Sequence, residues 1–187
     1  EETANFDLYY QLPNGSLDIF CMHIDKGYLW IGTTTNGVYR LNIDKKELEH
    51  PIRKGNIISF YRDSGGELWI GSWEEGLFHV KTDGKIENFK YDAKNPHSLS
   101  SNFVRACCED NLGNIWIGTF NGLNRYNKST GLFQNHTAND IQSDGLTHSS
   151  IWCIVKDNQG TLWLGTYFGG VNYFNPEYEI YTRYSYS

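Results

Sequence analysis

Scored as apolar against polar positions, the chain repeats one pattern four times. A stretch ending in aspartate (Phe20 to Asp25, Ser59 to Asp63, Ala106 to Asp110, Cys153 to Asp157) leads through a turn into an apolar run that does not alternate: GYLWIGT from Gly27, GELWIGS from Gly66, GNIWIGT from Gly113 and GTLWLGT from Gly160. Runs of this kind predict strands covered on both faces. A glycine then opens a third strand, Val38 to Leu41, Leu77 to Val80, Leu123 to Tyr126 and Val171 to Phe174. The segment after it is more polar, as in Ile86 to Tyr91 or Ile180 to Tyr184, and has the character of an edge strand half exposed to water. Three of the turns read Asp-x-x-Gly, a type I turn relaxing through a left-handed glycine, and the first, Asp25-Lys26-Gly27, is one residue shorter. The carboxylates of Asp25, Asp63, Asp110 and Asp157 are expected to accept turn amides.

Each repeat is therefore read as a four-stranded antiparallel unit. Trp30, Trp69, Trp116 and Trp163 are separated by 39, 47 and 47 residues, the period of a repeat architecture built from one small sheet per repeat. Units of this size arranged radially are the blades of an all-β propeller. A β-sandwich also has many short strands, but it would not reproduce one Trp-Gly motif at a fixed period. Each tryptophan is expected to fill space between blades. Gly32, Gly71, Gly118 and Gly165 are expected to mark close backbone approach, where a Cβ would collide with the adjacent sheet.

The whole chain, 1–187, reads as a single propeller segment. Residues 1–12 read as the outer strand of a preceding blade, followed by blades at 17–53, 56–92, 102–137 and 149–187. Five outer strands against four sets of inner ones leave ends that are not complementary, which predicts a piece of a larger ring. The apolar blade face left at each end is expected to drive self-association.

Composition narrows the function classes. The formal charge of −6 is spread along the chain without a basic stripe, so nucleic acid is not an expected partner. No stretch approaches the roughly 20 apolar residues of a membrane span, so no membrane contact is expected of this segment. Glu1-Glu2-Thr3 does not begin a signal peptide, and the chain reads as a mature or excised portion.

Candidate chemistry is sparse. Cys21, Cys107, Cys108 and Cys153 fit neither a zinc site nor a disulfide framework. Aligning repeats on the turn aspartate puts Cys21, Ser59, Ala106 and Cys153 at one small-residue position, which predicts tight packing near the axis. His23, His50, His79, His97, His136 and His148 form no cluster, so neither a metal nor another cofactor is expected. Glu74 and Glu75 are adjacent carboxylates, but nothing fixes them at the separation of roughly 5–9 Å that glycosidic chemistry needs. No catalytic residue is assigned.

The better site argument is geometric. In a four-stranded meander the loop between the second and third strands emerges on the face opposite the aspartate turns. Those loops read Thr34-Thr35-Asn36, Trp73-Glu74-Glu75, Phe120-Asn121 and Tyr167-Phe168-Gly169. Aromatics with polar neighbours suit sugar rings, whose C–H faces stack while hydroxyls take hydrogen bonds. Trp73, Glu74, Glu75, Phe120, Asn121, Tyr167 and Phe168 are therefore the candidate ligand contacts, with Trp73 and Tyr167 foremost. Packing of the same aromatics between blades is the competing reading.

The combination Asp-x-x-Gly-x-Leu-Trp-Ile-Gly-Thr, a Gly-Leu strand, and polar stretches such as Asn95 to Asn102 or Asp144 to Ser150 resembles the two-component-regulator propeller repeat. Gly165 to Pro176 is especially similar. The resemblance spans nearly the whole chain. It implies a propeller of about seven blades, within the range of roughly four to eight usual for the fold. It also implies the periplasmic sensor region of a hybrid two-component histidine kinase of Bacteroidetes, detecting oligosaccharides from polysaccharide breakdown. Expected partners are then an oligosaccharide, neighbouring blades and sensor domains of the same protein. The segment itself is expected not to be an enzyme, although its parent is a kinase on this reading. An extracellular lyase-like propeller and a protein-interaction scaffold remain the alternatives.

Overall fold

The computed structural model describes residues 8–12, 18–138 and 145–184. Its strands form four separate four-stranded sheets, each an antiparallel meander in chain order. The first blade holds β1 (Ile19–Asp25), β2 (Tyr28–Thr33), β3 (Val38–Asn42) and β4 (Leu48–Ile52), and the second holds β5 (Ile57–Arg62), β6 (Leu68–Ser72), β7 (Leu77–Val80) and β8 (Ile86–Phe89). The third holds β9 (Val104–Glu109), β10 (Ile115–Thr119), β11 (Gly122–Asn127) and β12 (Leu132–His136), and the fourth holds β13 (Ile151–Lys156), β14 (Leu162–Thr166), β15 (Val171–Asn175) and β16 (Ile180–Tyr184). Among the described residues no helix forms. The innermost strands β1, β5, β9 and β13 neighbour one another in that order, so the blades pack side by side about a shared axis. The fold is an all-β run of four propeller blades.

Two-sided burial explains why the second strand of each repeat does not alternate. Leu68 and Ile70 enter the core shared with the first blade, beside Trp30, Val38 and Ile57. Trp69, between them in sequence, points the other way, against Leu99, Ile115 and Ile117. Trp116 repeats the arrangement against Ile151, Leu162 and Leu164 of the fourth blade. Trp69 and Trp116 are both 0% exposed. Burying such an indole is worth about 5 kcal/mol as an upper figure.

Close approach of the blades follows from the residue beside each tryptophan. A Cβ on Gly71 would stand 2.7 Å from the Val104 carbonyl oxygen of the third blade, and one on Gly118 would stand 2.7 Å from Ile151 Cγ2 of the fourth. Strand register sets Cys21, Ser59, Ala106 and Cys153 directly across from Gly32, Gly71, Gly118 and Gly165. Both members of each pair are thus small where sheets are nearest. Cys107 and Cys108 point to opposite faces, into the cores on either side of the third blade. All four cysteines are free thiols.

The aspartate turns do more than accept amides. Asp110 Oδ1 accepts the amides of Leu112 and Asn114, both at 2.9 Å, while Oδ2 accepts the Trp116 indole N–H at 2.7 Å. Asp63 takes the Trp69 indole at 2.9 Å and Asp157 takes that of Trp163 at 3.0 Å. The turn aspartate therefore orients the tryptophan of its own blade. Asp25 departs from the pattern because its shortened turn, with Lys26 at φ 46° and Gly27 at φ 78°, does not present it to the indole. It forms an ion pair with Arg62 of the second blade instead, and the buried Trp30 indole nitrogen has no hydrogen-bond partner.

Connections between blades join the core. Leu99 and Leu146 are buried between flanking blades. The side chain of Asn124 accepts the Ser100 amide at 2.8 Å and donates to Ser100 Oγ at 2.9 Å, and Asn172 makes the same pair of bonds to Thr147 at 2.9 and 2.8 Å. In the first two blades this position is Tyr39 or Phe78, which packs into apolar surroundings. The outer strand of the second blade stops at Phe89, short of Tyr91, whose amide is taken by Asn102 Oδ1 at 2.8 Å.

Of the segment 1–12, residues 1–7 lie outside the described residues, and residues 8–12 form no strand. Tyr10 and Leu12 instead lie against Ile31, Tyr39 and Leu41, on the face of the first blade away from the second.

Candidate functional site

Two repeated positions build a site at the loop end of the axis. The first is the residue after each second strand: Thr34, Trp73, Phe120 and Tyr167. Its amide donates to the carbonyl of a residue just before the innermost strand, Asp18, Asn56, Phe103 or Ser150, at 3.0, 2.8, 3.0 and 2.9 Å. The hydroxyl that ends the repeat motif, on Thr33, Ser72, Thr119 or Thr166, donates to the carbonyl of Gly37, Gly76, Gly122 or Gly170 at 2.8–3.0 Å. Together these bonds close each loop and hold the intervening side chain over the entry to the innermost strand.

The second position lies on that strand, five residues before the turn aspartate: Phe20, Ile58, Arg105 and Trp152. Phe20, Ile58, Trp73, Arg105 and Trp152 line a recess of about 190 Å³. The guanidinium carbon of Arg105 is 4.3 Å from the ring centre of Trp152, 5.3 Å from Trp73 and 5.5 Å from Phe120. Phe103 meets Trp73 edge-on at 5.4 Å and Phe120 at 5.9 Å, which ties the second and third blades together here. Tyr167 stacks on Trp152 at 5.8 Å, and Phe168, 89% exposed and at φ 73°, stands edge-on to Tyr167 at 4.3 Å.

Arg105 is half-buried, and its Nη1 donates to Ser150 Oγ at 2.9 Å. Its Nε is buried without a partner among the described residues. Desolvation lowers the guanidinium pKa from its ordinary value, and the Tyr167 phenol opposes that shift. The site thus combines a desolvated cation with stacked aromatic faces.

The remaining sequence candidates lie elsewhere. Glu75 is held by Lys54 and Lys90, each at 2.7 Å, and hydrogen bonds from Lys54 and then Lys90 keep its carboxyl below its usual range. Glu74 is exposed, and neither glutamate lines the recess. The amide of Asn121 closes its own loop by donating to Thr119 Oγ1 at 3.1 Å. Among the described residues no group of three or more His, Cys, Asp or Glu side chains could hold a metal ion. Sequence reasoning passed over Arg105, Trp152, Phe20 and Phe103. Counting five residues back from each turn aspartate would have exposed the Phe, Ile, Arg, Trp column.

These features define a repeat-built β-propeller with an aromatic-lined axial mouth. The chain carries repeats that match the family model of the two-component regulator propeller, at residues 51–74, 98–121 and 145–168. No curated protein matches the chain in sequence. Among solved structures it is similar to a virginiamycin B lyase from Staphylococcus aureus, with 19% identity and a TM-score of 0.71 over 95% of this chain and 58% of that one. It is similar to PorZ, a surface component of the type-IX secretion system of Porphyromonas gingivalis, with 11% identity and a TM-score of 0.68 over 94% of this chain and 29% of that one. An extracellular domain assigned to a hybrid two-component system of Bacteroides thetaiotaomicron matches with 20% identity and a TM-score of 0.46, over 95% of this chain and 29% of that one. At these identities the likeness is one of fold. The chain spans between about three tenths and three fifths of the length of these structures.

Proposed function

We propose that this chain is part of the periplasmic ligand-sensing region of a hybrid two-component histidine kinase, and that it recognises oligosaccharides released from polysaccharides. The observation that carries the reading is the convergence of Trp73, Phe120, Trp152 and Tyr167 on one mouth of the propeller axis. Flat aromatic faces beside polar loop groups are what pyranose rings stack on. The side chains lining the recess include no carboxylate pair for glycosidic cleavage, which favours recognition without turnover. Binding there would bias the arrangement of blades and neighbouring domains, and a membrane-spanning segment elsewhere in the parent protein would carry that bias inward.

In this reading the uncovered face of the fourth blade receives a further blade. The Trp163–Asp157 bond repeats the geometry of Trp116–Asp110, whose indole the next blade covers, yet Trp163 is 36% exposed and Val171 41%.

Titration calorimetry of the chain against a panel of oligosaccharides tests the sensor reading. Replacement of both Trp73 and Tyr167 by alanine is expected to weaken binding at least about tenfold, the equivalent of roughly 1.4 kcal/mol. Binding that survives the double substitution removes the site. Release of shorter products from the panel would instead select the lyase-like alternative.

A further inference from the structure

We propose that the axial recess is a subsite for an acidic sugar, with the carboxylate of a uronic acid on Arg105 and its ring against Trp152 and Trp73. The assignment rests on the sugar-recognition reading above and makes it specific.

Charge pairing within the chain motivates it. Arg40 pairs with Glu49, Arg62 with Asp25 and Arg125 with Glu179, so these guanidinium groups meet carboxylates of the protein itself. Arg105 meets a serine hydroxyl and aromatic rings. The chain carries a net charge of −6, so acids are plentiful, yet none among the described residues lines this recess. Aromatic rings occupy the faces of a guanidinium and leave its edge donors to be satisfied by other groups. Ser150 satisfies one Nη1 donor, and Nε is closed to solvent without an acceptor among the described residues, so the Nη1–Nη2 edge is the one left for a ligand. A desolvated donor on a cation is costly to leave unpaired. A planar carboxylate matches a guanidinium edge with two parallel hydrogen bonds, and it brings the charge that the recess lacks.

Neighbouring features fit the same ligand. The recess, about 190 Å³, opens toward solvent between blades. Trp152 lies closest to the cation and is itself 51% exposed, while Tyr167 extends the stacked surface outward at 47% exposure. A saccharide with its acidic residue over Arg105 would lay the next residue along Tyr167 and Phe168.

The test is calorimetry of the 187-residue chain with an oligogalacturonide, the neutral galactose oligomer of the same linkage and length, and a sulfated galactose oligomer. The oligogalacturonide is expected to bind at least about tenfold more tightly than the neutral oligomer, and added salt should erode that preference. Arg105→Gln should abolish the preference, so that the acidic and neutral oligomers bind this variant equally. Arg105→Lys should keep an intermediate preference, since it retains charge but loses the two-donor edge. If Arg105→Gln does not fold, Arg105→Lys and the salt dependence of the unmodified chain still decide the matter. Equal affinity for acidic and neutral oligomers, or a preference that survives Arg105→Gln, overturns this assignment and leaves the sensor reading standing. Equal preference for the sulfated oligomer overturns the choice of carboxylate. Failure of every saccharide to bind overturns both.

Discussion

The second and third blades differ from the first and fourth in what surrounds the same motif. Trp116 and Trp163 occupy equivalent positions, each with its indole N–H on the turn aspartate of its own blade, at 2.7 and 3.0 Å. Local structure is therefore the same. Burial is not, because Trp116 is 0% exposed under the fourth blade and Trp163 is 36% exposed. The motif thus supplies orientation, while the adjacent blade supplies most of the energy. The first blade makes the complementary point. It buries Trp30 under the second blade, but its shortened turn leaves the indole nitrogen without a partner.

The largest expected effect separates the two tryptophans directly. Trp116→Ala should cost about 3–5 kcal/mol in denaturant unfolding and Trp163→Ala about 1 kcal/mol or less. Equal losses would show that the local hydrogen bond, not the neighbouring blade, dominates. Next comes the glycine contrast. Gly71→Ala places a Cβ 2.7 Å from the Val104 carbonyl, a wall of backbone, and should cost about 1–3 kcal/mol. Gly165→Ala meets only the Cys153 sulfur and should cost less, so a larger loss at Gly165 would contradict the close-approach argument.

Acid should act first on the packed interfaces. His79 is stacked on Trp69 at 3.8 Å and bonded to Glu67 at 2.9 Å, and His136 lies 5.5 Å from Trp116. Burial lowers the pKa of both from the ordinary value near 6.5, and for His79 Glu67 partly opposes the shift. The unfolded chain therefore takes up protons first. Stability should be level above about pH 6.5 and fall as pH drops toward the folded-state values. His79→Gln should flatten that slope in thermal melts recorded from pH 7.5 to 5; an unchanged slope would assign it to other groups. The smallest effect is a gain. Lys26 holds φ 46° in the shortened turn, so Lys26→Asn should stabilise the first hairpin by about 0.5–1 kcal/mol, read as a shift in unfolding midpoint.

Half of the aromatic mouth can be read from the sequence. Trp73, Phe120 and Tyr167 could be placed because each follows the motif by one residue and the meander dictates which face its loop occupies. Arg105 and Trp152 were not placed. They sit on the innermost strands, where only the count back from each turn aspartate sets Phe20, Ile58, Arg105 and Trp152 in one column. The glutamates show the opposite limit: their place after Trp73 made them candidate ligand contacts, but Lys54 and Lys90 come from different strand ends and draw Glu75 away. Long-range ion pairing of this kind has no local signature.

The amino-acid sequence by itself determined the repeat, the meander within each blade, the turn aspartate and the small-residue columns, because strand length, turn chemistry and two-sided apolarity are local properties of the chain. Only the tertiary structure decided which tryptophans are buried, that three of the turn aspartates hold indoles, and that Arg105 meets aromatics from the second, third and fourth blades. Those outcomes depend on contacts between repeats, where distance and direction are set by how sheets pack, not by residue order.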